Sequence, residues 1–161
     1  MTQTPTAPQS DALRRYQRLQ RFPLGSWRFA RAARARSPLL AVLRARFEDL
    51  RIGSCHAVMS AHRRVQTADG AIDPMAIGAL AQLAATMVME VSVPAGLCWT
   101  LRGLTIEHLR RAQSAANALA RLDKPDWSTA GLVGVPVTVN DSAAVEIARA
   151  VISFAVTMRA D

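Results

Sequence analysis

The sequence has few of the residues on which several common kinds of site depend. Its 161 residues include two cysteines and three histidines, and Cys55, His56, Cys98 and His108 match no recurrent zinc spacing. The glycine-rich and nucleophile motifs of dinucleotide oxidoreductases, P-loop NTPases, zinc proteases and α/β-hydrolases are also missing. These enzyme classes are therefore disfavoured, and neither a metal nor a cofactor is expected.

The chain also opens without an apolar leader. Residues 1–10 are rich in threonine, proline and glutamine, which predicts a disordered tail and, with so few cysteines, a cytoplasmic protein. Half of the residues are nevertheless hydrophobic, so the chain can bury the core of one globular domain.

Lysine is almost absent, and the positive charge is unevenly placed. Residues 1–51 hold eleven arginines against three acids, whereas residues 52–161 hold eight arginines and Lys124 against nine acids and balance at zero. Residues 11–44 are predicted to form a basic helical arm: two short helices over 11–36, broken near Phe22–Gly25, and a helical stretch at Leu39–Leu43, which leads into an extended segment at Arg46–Ile52.

The arm allows two interpretations. Its arginines, interleaved with aromatic residues, suit a nucleic-acid or membrane-surface module. The chain prefers arginine to lysine throughout, by nineteen to one, which indicates a composition bias. A solvated arm with apolar residues packed on the domain is therefore preferred, and nucleic acid is a disfavoured partner.

Only one long hydrophobic run is present, at residues 74–89, interrupted by Gln82 and Thr86. Asp73 before Pro74 is typical of a helix N-cap followed by a first-turn proline. Because a bilayer span takes about twenty apolar residues, this shorter run predicts a buried helix and no membrane span.

The sequence after Gly96 is typical of strands. Apolar residues alternate up to Leu101, and the alternation shifts by one beyond Gly103, which predicts a β-bulge there. Residues 133–139 and 145–158 are predicted to form a hairpin about the turn at 140–142, with an exposed edge or a local break at Pro136.

Residues 112–122 suit either a helix or a strand, and their place between strands favours a strand. The predicted fold class is α+β: a curved antiparallel sheet over residues 45–161, wrapped around one long apolar helix and preceded by the N-terminal helices.

Three segments and their order carry a family resemblance. They are RFEDLRIG (46–53), RRVQTADGAI (63–72) and RGLTIEHL (102–109), with the apolar helix and residues 93–94 between the last two. This arrangement resembles the hotdog fold and is similar to an uncharacterised branch of the acyl-CoA thioesterase-like superfamily. The resemblance extends to about residue 158.

The resemblance implies a homodimer, which could pair further into a dimer of dimers, with sites for an acyl-CoA or acyl-carrier thioester between subunits. In such thioesterases the helix N-terminus polarises the thioester carbonyl, and a carboxylate about two turns along the helix acts as base or nucleophile. That carboxylate position falls on Gln82, whose amide can orient water or a carbonyl but cannot accept a proton as a base.

Asp73 stands at the entrance position and either supplies the missing carboxylate or serves only as the N-cap. The resemblance places substrate-binding positions at Gly70 and Ile72 in the entrance loop, at Ala79 on the helix, and at Arg102, Gly103 and Leu104. Two functions are favoured: a thioesterase in which Asp73 and Gln82 handle water, and a non-catalytic acyl-binding or structural homologue. The arginine-rich nucleic-acid or membrane-surface module is the third and least favoured.

Overall fold

The computed structural model describes residue 14 and residues 38–123, 127–128 and 131–159. The predicted tail at 1–10 and, apart from residue 14, the two predicted helices over 11–36 lie outside these described residues. The elements are, in chain order, α1 (Pro38–Leu43), β1 (Arg46–Arg51), β2 (Ser54–Met59), α2 (Pro74–Ser92), β3 (Leu97–His108), β4 (Ala116–Arg121), β5 (Gly131–Asn140) and β6 (Glu146–Met158).

The six strands form one antiparallel sheet in the order β1-β2-β4-β5-β6-β3. Helix α2 contacts every strand and packs against the apolar face of the sheet, because that face must be covered. This arrangement confirms the predicted α+β hotdog architecture. It leaves β1 and β3 at the two edges of the sheet.

Helix α2 forms the centre of the core. Asp73 is its N-cap and Pro74 opens its first turn, as the sequence predicts. The helix runs three residues past the predicted end at Met89, to Ser92, and stops where Val93 adopts an extended conformation before Pro94. Among the described residues it is the one helix long and apolar enough to cross a membrane, and most of it is buried as the core helix.

A bulge lies in the edge strand β3 where the sequence places one. The register with β6 shifts between Leu101 and Gly103, which leaves Arg102 as the extra residue. On the helix-facing side the ring of Trp99 meets Phe154 edge-on, with ring centroids 5.4 Å apart. The bulge therefore keeps Leu104, beyond it, on the same side as Trp99 and Leu101.

The pairing of β5 with its neighbours explains why the strand tolerates a proline at position 136. Strand β4 pairs with β5 only over Val137–Asn140, while β6 pairs with β5 along its whole length. Pro136 is the first residue beyond the β4 pairing, so its missing N–H donor interrupts no bond to β4. Of the predicted exposed edge or local break, the structure shows an edge that is unpaired on the β4 side among the described residues. The ambiguous segment 112–122 supplies the strand β4.

Candidate functional site

The N-terminus of α2 opens on a groove of about 550 Å³, which we call the entrance groove. It lies between the loop before the helix and the segment after β3. Its lining residues are Thr67, Ala68, Asp69, Ala71, Ile72, Pro74, Ile77, His108, Arg110, Arg111 and Ala112. The groove therefore combines an apolar floor with charged groups at its mouth.

Backbone hydrogen bonds hold the entrance loop in place. The Ile72 N–H donates to the Ala112 carbonyl at 2.7 Å, and the Asp73 N–H donates to the Val65 carbonyl at 2.8 Å. Gly70 has a φ of 83°, in the left-handed region that glycine adopts without strain, and Gln66 Nε2 donates to its carbonyl at 2.8 Å. The position of the helix start is thus fixed by segments from both sides.

The carboxylate of Asp69 has two partners within the groove. It accepts a hydrogen bond from the Thr67 hydroxyl and forms an ion pair with Arg111. Arg111 lies 42 residues away in the sequence, so the pair ties the segment after β3 to the entrance loop. Asp69 is therefore a poor candidate for a catalytic base.

Asp73 accepts the hydrogen bonds that the N–H groups of the first helical turn donate. Its Oδ1 accepts the Met75 N–H at 2.8 Å, and its carbonyl accepts the N–H groups of Ala76 and Ile77 at 2.9 and 3.2 Å. Pro74 has no N–H to offer. A thioester carbonyl could therefore bind the helix start only by displacing the Asp73 carboxylate from Met75.

Gln82 lies on a half-exposed stripe of α2 formed with Ala79 and Thr86. A Cβ on Gly78 would lie 3.9 Å from Leu104 and 4.0 Å from Ile106, both in β3. Because Gln82 is one turn beyond Gly78, the stripe runs beside this edge strand. The Gln82 side chain has no hydrogen-bond partner in the described part of the chain.

One protomer does not bring Asp73 and Gln82 together. They are nine positions apart in the sequence, which corresponds to about 13 Å along the helix axis and about half a turn around it. Of the predicted binding positions, Gly70 and Ile72 lie at the entrance, Ala79 belongs to the stripe, and Leu104 lies beside it. Arg102 and Gly103 form the bulge in β3.

Sequence reasoning missed three groove residues at and just beyond the end of β3, namely His108, Arg110 and Arg111. They reach the entrance because the backbone of Ala112 pairs with Ile72, forty residues earlier. No local pattern signals that pairing. Among the described residues no three histidine, cysteine or acidic side chains cluster as metal ligands.

The chain is similar to a known protein family and to solved structures over most of its length. Residues 25–156 match the family described as Domain of unknown function (DUF4442). No curated protein matches the chain. One solved structural genomics protein is similar, with 27% identity and a TM-score of 0.82, over 92% of this chain and 99% of that protein.

Two bacterial proteins share the fold at lower identity. A thioesterase from Haemophilus influenzae has 13% identity and a TM-score of 0.66, over 74% of this chain and 82% of its own. A probable thioesterase from Pseudomonas aeruginosa has 15% identity and a TM-score of 0.71, over 78% and 91% respectively. At these identities the likeness establishes a common hotdog fold.

Proposed function

This chain belongs to the DUF4442 family, and from that premise we propose that it is a slow thioesterase. Its substrate is an acyl thioester of coenzyme A or of an acyl carrier. The reaction takes place between the subunits of a homodimer, in the cytoplasm.

Gln82 supplies the main support for this function. A side-chain amide without a hydrogen-bond partner is unfavourable within a helix that packs an apolar core. Gln82 lies on the half-exposed stripe, beside an open sheet edge, in a fold shared with thioesterases. Its amide is therefore free to bind a thioester carbonyl or the attacking water.

The two edges of the sheet support a dimer. Four of the six residues of β1 are charged, which protects that edge from pairing. Strand β3 instead exposes apolar side chains on its helix-facing side, with Leu101 43% and Leu104 42% exposed. Pairing β3 with the β3 of a second copy would bury them.

We assign the chemistry to groups from both subunits, since Asp73 and Gln82 lie apart in one protomer. The substrate carbonyl takes the Met75 N–H from Asp73 and lies at the positive end of the helix dipole. The released Asp73 carboxylate accepts a proton from water, which the partner's Gln82 orients. The resulting hydroxide adds to the carbonyl carbon, the C–S bond breaks, and the departing sulfur takes the proton from Asp73, which leaves a free thiol, a carboxylic acid and an ionised Asp73.

One observation favours the second candidate, a non-catalytic acyl-binding protein. The N–H groups of Met75, Ala76 and Ile77 all have partners inside the chain, so the oxyanion donor must be freed before reaction. A protein that only binds acyl thioesters needs no such rearrangement.

The two candidates differ in turnover. The wild-type protein is given a panel of acyl-CoA esters, and thiol release is measured beside equilibrium binding. The thioesterase proposal expects slow release that Asp73→Asn abolishes at an unchanged melting temperature. Tight binding of several esters without any release would establish the binding protein instead.

A further inference from the structure

Two pairs of arginines flank the start of α2. Residues 63–64 directly precede the carbonyl that accepts the Asp73 N–H, and residues 110–111 directly precede the carbonyl that accepts the Ile72 N–H. Each pair is thus tied to one side of the helix entrance. We call the four side chains, all of them exposed, the arginine rim.

The rim concentrates positive charge within a domain whose formal charges sum to zero. Residues 52–161 have no net formal charge, yet four of their eight arginines belong to the rim. Arg111 is paired with Asp69, whereas Arg63, Arg64 and Arg110 have no ion pair within the described residues. Nearby, on β6, Glu146 forms an ion pair with Arg149. Asp69 and Asp73 are the acidic residues of the entrance loop, and the four arginines outnumber them, so the entrance presents a net positive surface.

The rim extends beyond the entrance groove. Arg110 and Arg111 line the entrance groove, but Arg63 and Arg64 do not. A small phosphorylated ligand in the groove would meet one pair only. A partner that meets both pairs must extend beyond the groove across the helix entrance.

We propose that the arginine rim docks an acidic carrier protein, which presents the acyl thioester to the entrance groove on a flexible arm. The inference rests on the proposed function, because it names the carrier of that thioester. Complementary charge raises the rate of such encounters, and salt screens it.

The test compares three thioesters of the same acyl group, carried by an acidic acyl carrier protein, by coenzyme A and by uncharged N-acetylcysteamine. The rim variant is Arg63→Glu with Arg64→Glu. The control variant is Arg121→Glu with Arg159→Glu, which makes the same charge change at exposed positions at the other end of the sheet.

The rim variant should lower kcat/KM for the carrier-protein ester, relative to the uncharged ester, by about tenfold or more. Added salt should reduce the wild-type ratio, and the control variant should keep it. An unchanged ratio in the rim variant overturns the inference. An equal loss with the coenzyme A ester also overturns it, because phosphate alone would then explain the effect.

If the wild-type protein hydrolyses none of the three esters, the proposed function fails but the docking surface can still be tested. Fluorescence anisotropy then measures binding of the labelled carrier protein. Binding that the rim variant loses and the control variant keeps supports the rim as a docking surface. Binding that is absent, or equal in both variants, rejects it.

Discussion

The two cysteines differ sharply in environment. Cys55 is fully buried in the core, and burial, with a smaller effect from Asp49, raises the pKa of its thiol far above the usual range. Cys98 is partly exposed on β3, and Arg159 Nε donates to its Sγ at 3.5 Å. Because the thiolate is the reactive form, only Cys98 is available to reagents in the folded protein.

We therefore expect one thiol per chain to react with a disulfide reagent at pH 8, and a second to react only after denaturation. The raised pKa keeps Cys55 protonated at pH 8, and it would ionise only at much higher pH. Cys98→Ser should reduce the folded count to zero. Two rapidly reacting thiols in the native protein would contradict the buried position of Cys55.

At the scale of the element, two substitutions of Asp73 at the start of α2 distinguish its role in stability from its proposed role in catalysis. The Asp73 side chain caps the Met75 N–H. Asp73→Ala should lower the free energy of unfolding by about 1 kcal/mol, while Asp73→Asn should change it little, since asparagine caps nearly as well. Urea denaturation measures both. If asparagine costs as much as alanine, the carboxylate has a structural role beyond the cap.

The sequence predicts this helix and the neighbouring strands well because their signals are local. The cap, the first-turn proline and the apolar run all lie within twenty residues, and the bulge near Gly103 follows from a shift in alternation. The entrance groove depends instead on Ala112 pairing with Ile72 and on the ion pair of Arg111 with Asp69. These contacts join segments about forty residues apart, and no local pattern encodes them.

At the scale of the whole molecule, the proposed dimer pairs the open edge at β3 with that of a second copy. The chain has a mass of 17.4 kDa, so light scattering should give about twice that value. Leu104→Glu should produce monomers, because it places a charge on the apolar surface beside that edge. Leu132→Glu is the matched control on another strand, where Leu132 is 76% exposed, and it should stay dimeric.

A wild-type protein that remains monomeric across micromolar concentrations would contradict this assembly. Asp73 and Gln82 would then stay about 13 Å apart along one helix. They could not act on one substrate. The proposed division of the chemistry between subunits would be lost.

The central claim is that this chain retains a thioesterase site whose usual carboxylate position holds Gln82. The most direct measurement is the rate of thioester hydrolysis by Gln82→Glu beside that of the wild-type protein. General base catalysis contributes roughly 10²- to 10⁴-fold, so the restored carboxylate should raise kcat/KM by about tenfold or more over slow wild-type turnover. If both proteins bind a broad panel of acyl thioesters and neither hydrolyses any of them, the chain is an acyl-binding protein and the claim is wrong.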